Sequence, residues 1–126
     1  MRRMLLLVQA LAGLLAYDIV VRVGKFKTVR KLVSNWKTKP HQTTPDAAEQ
    51  VIRAINLACI CYPKQALCLQ RSAVTVCLMR SHGIAAHMVL GAQKIPFAAH
   101  AWVEINGKAV NERRNVRAIY NVWESC

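Results

Sequence analysis

The sequence predicts an α+β domain, helices first and a small antiparallel sheet after them. Three observations carry that expectation. Up to about Arg80, apolar residues recur at helical spacing; from Ile84 onward, short extended runs replace them; and an Asn106-Gly107 pair, the strongest short hairpin signal, lies between two of those runs. At 126 residues the chain is one domain by length, and 54% apolar content is enough to bury a core. Within it, residues 1–40 read as apolar and basic N-terminal helices, and residues 41–126 as the core.

Residues 3 to about 22 read as a helix that is apolar on most sides, with Gly24 as its stop. Arg2-Arg3 followed by Met4 to Ala16 has the charged-then-apolar order of a signal peptide. Gln9 interrupts that run and Asp18 stops it, so it is expected to fall short of the about 20 apolar residues that span a bilayer. A buried or interfacial helix is preferred. The alternative is a peripheral membrane helix, with Arg22, Lys25, Lys27, Arg30 and Lys31 at the headgroups. Lys25 to Trp36 reads as a second amphipathic helix, with Phe26, Val29, Leu32 and Val33 on one face. Lys37 to Thr44 is polar, contains Pro40 and reads as the linker.

Thr44-Pro45-Asp46 is a helix start: a cap, a proline at the first position and acidic residues at the positive end of the dipole. Ala48, Val51, Ile52, Ile55, Ala58 and Cys59 form its buried stripe, and Tyr62-Pro63 ends it. Leu67 to Arg80 is apolar around most of its circumference and is expected to be the central helix, stopped at His82-Gly83. Ile84 to Gln93 and Ala99 to Ile105 read as strands separated at Pro96, and Lys108 to Glu112 as the return strand. Arg113 to Cys126 reads weakly, with Ile119, Tyr120, Val122 and Trp123 available for a short closing element.

The net charge of +12 bears on solubility and association, not on fold. The basic residues are spread along the chain, and aromatics are only 6% and do not interleave with them, so a nucleic-acid surface is not expected. Five cysteines is an odd set in a chain with few loops, which argues against a secreted disulfide scaffold and for reduced thiols in a cytosolic setting. Cys59-x-Cys61 with His82 fits no familiar zinc spacing, so neither metal nor cofactor is expected. Cys59 and Cys77 read as buried small apolar side chains.

Cys68 differs, because it lies at a helix start, where unpaired N–H groups and the positive dipole favour a thiolate and can hold an oxyanion. His100 lies on a strand and shares a face with Trp102 and Glu104. A neighbouring acceptor could bind one ring nitrogen and leave the other for a thiol. In a plain two-residue hairpin, Asn111 shares the face of His100 and Glu112 points away; a one-residue bulge reverses this. Both registers are open to the sequence.

Cys68-Leu69-x-Arg71-Ser72, Arg80-x-x-Gly83-Ile84, Pro96-Phe97-x-Ala99-His100-Ala101-Trp102-Val103-Glu104, Gly107 and Asn111 together resemble the lasso peptide biosynthesis B2 proteins. That family comprises leader peptidases with a papain-like, transglutaminase-like core. The resemblance implies Cys68 as nucleophile, His100 as general base and then acid, and Glu112 at the third position, where the family usually has aspartate. Asn111 is a candidate to share that role, and Arg71 and Trp102 are candidates to support the site. It also implies partners: a precursor peptide, a separate B1 leader-recognition protein and a lasso cyclase. The rival expectations are an acyl or amide transferase on the same core, and a non-catalytic basic adaptor that docks on a membrane or partner.

Overall fold

The computed structural model describes residues 2–24, 26–38, 47–63, 68–94, 97–110, 112 and 116–126. Helix α1 spans Arg2–Val23, α2 Phe26–Asn35, α3 Ala47–Cys61 and α4 Cys68–Ser81. The sheet follows as β1 (Ala86–Lys94), β2 (Phe97–Ile105) and β3 (Lys108–Val110), and the chain closes with α5 (Val116–Ile119) and β4 (Asn121–Ser125). This is the α+β order that the change in periodicity predicts. The Thr44-Pro45-Asp46 cap, Pro96 and most of the expected linker lie outside the described residues.

Leu6, Ala10 and Leu14, four residues apart, turn one side of α1 into the core against α3 and α4. The helix has the extent expected of it, and the expectation that its apolar run falls short of a bilayer's length is corrected. It continues through Asp18, and Met4–Val23 is 20 residues long with a mean hydropathy of 2.1, enough by length and composition to cross a membrane. Asp18 lies within the helix, where its carboxylate accepts a hydrogen bond from the Tyr62 hydroxyl just beyond α3.

Helix α4 is the central helix. Gln70, Ser72, Ala73, Val74, Thr75, Val76, Leu78, Met79 and Arg80 are all buried, so only a protein surface on several sides satisfies it. Of its buried polar side chains, Gln70, Thr75 and Arg80 are hydrogen-bonded. Gln70 Nε2 donates to the Leu14 carbonyl at 3.0 Å and fastens the head of α4 to α1. At the other end, the Arg80 guanidinium donates to the carbonyls of Ala86 (2.9 Å), Trp36 (3.0 Å), Cys126 (2.8 Å) and Val33. One side chain thereby joins α2, α4, β1 and the chain's last residue.

The four-stranded sheet has the order β3-β2-β1-β4, with β1 antiparallel to both neighbours. Alternation gives it two unlike faces. Ala86, Met88 and Val103 face the helices and join the main core. Val89 and Trp102 face the other way and form a second, smaller core with Val116 and Tyr120. The weakly legible C-terminal segment supplies that second core and the edge strand β4, whose pairing with β1 shifts register between Leu90 and Gly91.

The hairpin between β2 and β3 has the plain two-residue register: Ile105 faces Lys108, Glu104 faces Ala109 and Val103 faces Val110. Asn106 and Gly107 both take positive φ, 54° and 78°, as a turn matched to strand twist requires. The return strand is shorter than expected. It ends at Val110, not Glu112, and that difference shapes the site.

Candidate active site

His100 stands on β2 opposite Gly91 of β1. Its Nε2 lies 2.7 Å from Glu112 Oε1, and both side chains are mostly shielded from water, at 16% and 13% exposure. A hydrogen-bonded pair this shielded orients an imidazole better than a surface pair, because less solvent competes for either partner. With Nε2 engaged by the carboxylate, Nδ1 is the ring atom available to a thiol.

The turn takes the plain two-residue register, while Glu112 takes the side of the histidine that the bulged alternative gave it. Among the described residues the ladder, as far as Val110, has no bulge, yet Glu112 reaches the histidine. Glu112 lies beyond β3, so the alternation of the paired strand does not fix the direction of its side chain. Asn111 lies outside the described residues.

The imidazole is bracketed by aromatic rings. Trp102 stacks beside it at 5.9 Å between centroids and 25° between planes, and Tyr120 lies at 5.3 Å and 32°. Trp102 is buried, and its Nε1 donates to Glu104 Oε2 at 2.8 Å, which fixes the indole and satisfies a buried carboxylate. Gly91 makes room for that indole: a Cβ there would lie 2.8 Å from Trp102 Cη2 and 3.0 Å from Tyr120 Cβ. Sequence reasoning named Trp102 but missed Tyr120 and Gly91. A glycine inside an otherwise apolar strand was the available signal for the second; nothing local marked Tyr120, which arrives from the far end of the chain.

Cys68 is the first residue of α4, as expected of a thiol placed at a helix N-terminus. It is half-buried and, like Cys59, Cys61, Cys77 and Cys126, a free thiol. It lies within electrostatic range of Tyr17 on α1, whose phenol is held above its ordinary range first by burial, then by the charges of Asp18 and Cys68. Among the described residues no hydrogen bond joins Cys68 to His100, and the imidazole projects from the sheet face that α4 does not cover.

Arg71 lies one turn into α4, where its charge partly offsets the upward push of burial on the Cys59 thiol. It does not join the His100–Glu112 pair. Arg80, the other basic residue of the motif, is a structural bracket. Among the described residues no three histidine, cysteine or acidic side chains gather as metal ligands. A cavity of about 340 Å³ between α1, α2 and α4, lined by Tyr17, Trp36 and Cys77 among others, includes none of Cys68, His100 and Glu112.

The model of the transglutaminase-like superfamily matches residues 13–125, nearly the whole chain. The chain belongs to the transglutaminase-like superfamily. Over 50 residues it is also 38% identical to the microcin J25-processing protein McjB of Escherichia coli. That stretch is 40% of this chain and 24% of the relative, so the match covers about a quarter of that protein's length. No solved structure matches. Both findings agree with the resemblance to lasso peptide B2 proteins.

Proposed function

We propose that this transglutaminase-like protein is the cysteine peptidase that removes the leader from a lasso peptide precursor, acting with a separate leader-recognition protein. The observation that carries the proposal is the shielded 2.7 Å contact between His100 Nε2 and Glu112 Oε1, on a ring held between Trp102 and Tyr120. The carboxylate holds one ring nitrogen and leaves Nδ1 to act on a thiol. The thiol is Cys68, whose place at the head of α4 supplies both a field that favours thiolate and amides that bind an oxyanion. Contacts between nucleophile and base often tighten only once substrate is seated. The similarity to a microcin-processing protein supports a peptide substrate.

In this reading His100 Nδ1 takes the Cys68 proton and Sγ attacks the carbonyl carbon of the leader's last residue. The oxyanion rests on the first amides of α4. The protonated imidazole then gives its proton to the leaving amine of the core peptide, which departs as the C–N bond breaks. Water, deprotonated by the same imidazole, hydrolyses the thioester, releasing the leader as a carboxylic acid and restoring the thiol. Glu112 remains a carboxylate throughout and steadies the imidazolium.

The test is Cys68→Ala with precursor and recognition protein present: leader release should vanish while the fold survives. Continued cleavage by the variant ends the proposal. Running the wild-type reaction in ¹⁸O-water separates hydrolysis, which labels the leader carboxylate, from transfer of the acyl group to an amine, which does not.

A further inference from the structure

Helix α1 is apolar on two sides, and only one of them is used. Leu6, Ala10 and Leu14 face the core, while Leu5, Val8, Leu15 and Ile19 on the opposite side are 55–59% exposed. Met4 and Val23 prolong that outer face to both ends of the helix, and Ala12 and Ala16 fill it. At 100° per residue these positions fall within an arc of about 120° that holds no charged residue until Arg22 in the last turn. The stripe is about 29 Å long. Soluble surfaces rarely leave so large a contiguous apolar patch open.

The patch broadens toward α2. The cavity between α1, α2 and α4 opens between Ala12 and Ala16 on one side and Leu32 and Trp36 on the other. Leu32 and Trp36 are themselves more than 40% exposed. Trp36 sits at the rim with its Nε1 bonded to Ser81, apolar body outward and polar atom satisfied, as tryptophans do at membrane–water boundaries.

Charge says what covers this face. Residues 1–38 contain Arg2, Arg3, Arg22, Lys25, Lys27, Arg30, Lys31 and Lys37 against one acidic residue, Asp18. Even with the Asp18 carboxylate counted, the basic side chains of this segment are far in excess. Lys27, Arg30 and Lys31 are exposed on α2, and Arg22 ends the α1 stripe. An apolar face flanked by cations on long apolar stems complements an anionic bilayer surface.

We propose that the outer face of α1, together with Leu32 and Trp36 of α2, docks the protein in the plane of an anionic membrane surface. The helix lies on the bilayer and does not cross it. Its inner side is locked to the core by Leu6, Ala10 and Leu14, and its backbone is held by the bond from Gln70 to the Leu14 carbonyl. Withdrawing α1 into lipid would expose the faces of α3 and α4 that it covers. The proposal is independent of the peptidase chemistry, which uses α4 and the sheet.

The experiment is co-sedimentation of the full chain with large vesicles of equal phosphatidylglycerol and phosphatidylcholine, beside pure phosphatidylcholine. The anionic vesicles should take up the protein, with each docked cation worth about fivefold in partitioning. Salt at about 0.5 M should release most of it. Leu15→Glu with Ile19→Glu should lower binding by roughly tenfold or more with the far-ultraviolet dichroism unchanged. Lys27→Glu with Lys31→Glu, which leaves the stripe intact, should remove the preference for anionic vesicles. No binding to anionic vesicles, or binding indifferent to the stripe variant, overturns the proposal. So does a wild-type dimer that the stripe variant converts to monomer, which would give this face to a second copy.

Discussion

Replacing Gly91 by alanine tests how the site is held from behind. The added Cβ would lie 2.8 Å from Trp102 Cη2, 2.9 Å from Cζ3 and 3.0 Å from Tyr120 Cβ. Carbon atoms rest comfortably at about 3.5–4.0 Å, so the indole must retreat by roughly 0.7 Å or more. It has nowhere to go without loss. Trp102 is 1% exposed, stacks on His100 and is tied by Nε1 to Glu104. Overpacking of this kind costs about 1–3 kcal/mol, and stretching the indole hydrogen bond adds about 1 kcal/mol. The expected result is a loss of about 2–4 kcal/mol in urea unfolding at unchanged m-value. Leader cleavage should fall by up to about 100-fold, because ring displacements of this size misplace a catalytic base. Gly107→Ala is the control: its φ is 78° but nothing lies within 4 Å of a Cβ there. It should cost about 1 kcal/mol through backbone strain, with cleavage unchanged. If Gly91→Ala leaves both stability and cleavage at wild-type levels, the packing of Trp102 does not govern His100 and the reasoning is refuted.

Three further outcomes are expected. Glu112→Gln should lower kcat by about 10²–10⁴ with KM changed only a few fold, since it removes the charge that steadies the imidazolium; if Asn111→Ala shows that loss instead, the orienting role belongs to Asn111. Arg80→Met should cost about 3–5 kcal/mol in chemical denaturation, because four carbonyls lose one buried donor, and a loss under about 1 kcal/mol would show the bracket to be dispensable. Burial pushes the Cys77 thiol from 9.0 up to about 11 against a smaller opposing pull from Arg80. The folded state therefore disfavours its thiolate. The stability this group contributes is complete below about pH 9 and is lost as pH rises through about 11, a swing of roughly 2–3 kcal/mol. Subtracting the pH profile of Cys77→Ala from that of wild type should isolate the swing, and identical profiles would count against it.

The helices and the hairpin were legible because their signals are local. The stripe from Ala48 to Cys59, the all-round apolar α4 and the Asn106-Gly107 turn each specify an element from neighbouring residues alone. Cys68 at the head of α4 and His100 on a strand follow from those elements. The first helix was legible to its end before Gly24, but its apolar run was judged too short for a bilayer because Asp18 was counted as the stop of that run.

What the sequence by itself determined is which residues could carry the chemistry and on what kind of element each rides. Periodicity, turns and helix ends depend on short-range sterics and hydrogen bonding. Only the tertiary structure decided that Glu112 meets His100, since that depends on how the chain runs beyond the paired part of β3. It also decided that Tyr120 and Gly91 build the setting of the imidazole, and that half of an apolar helix is left facing outward. Each of these is a contact between segments distant in sequence, and such contacts are fixed by how whole elements pack.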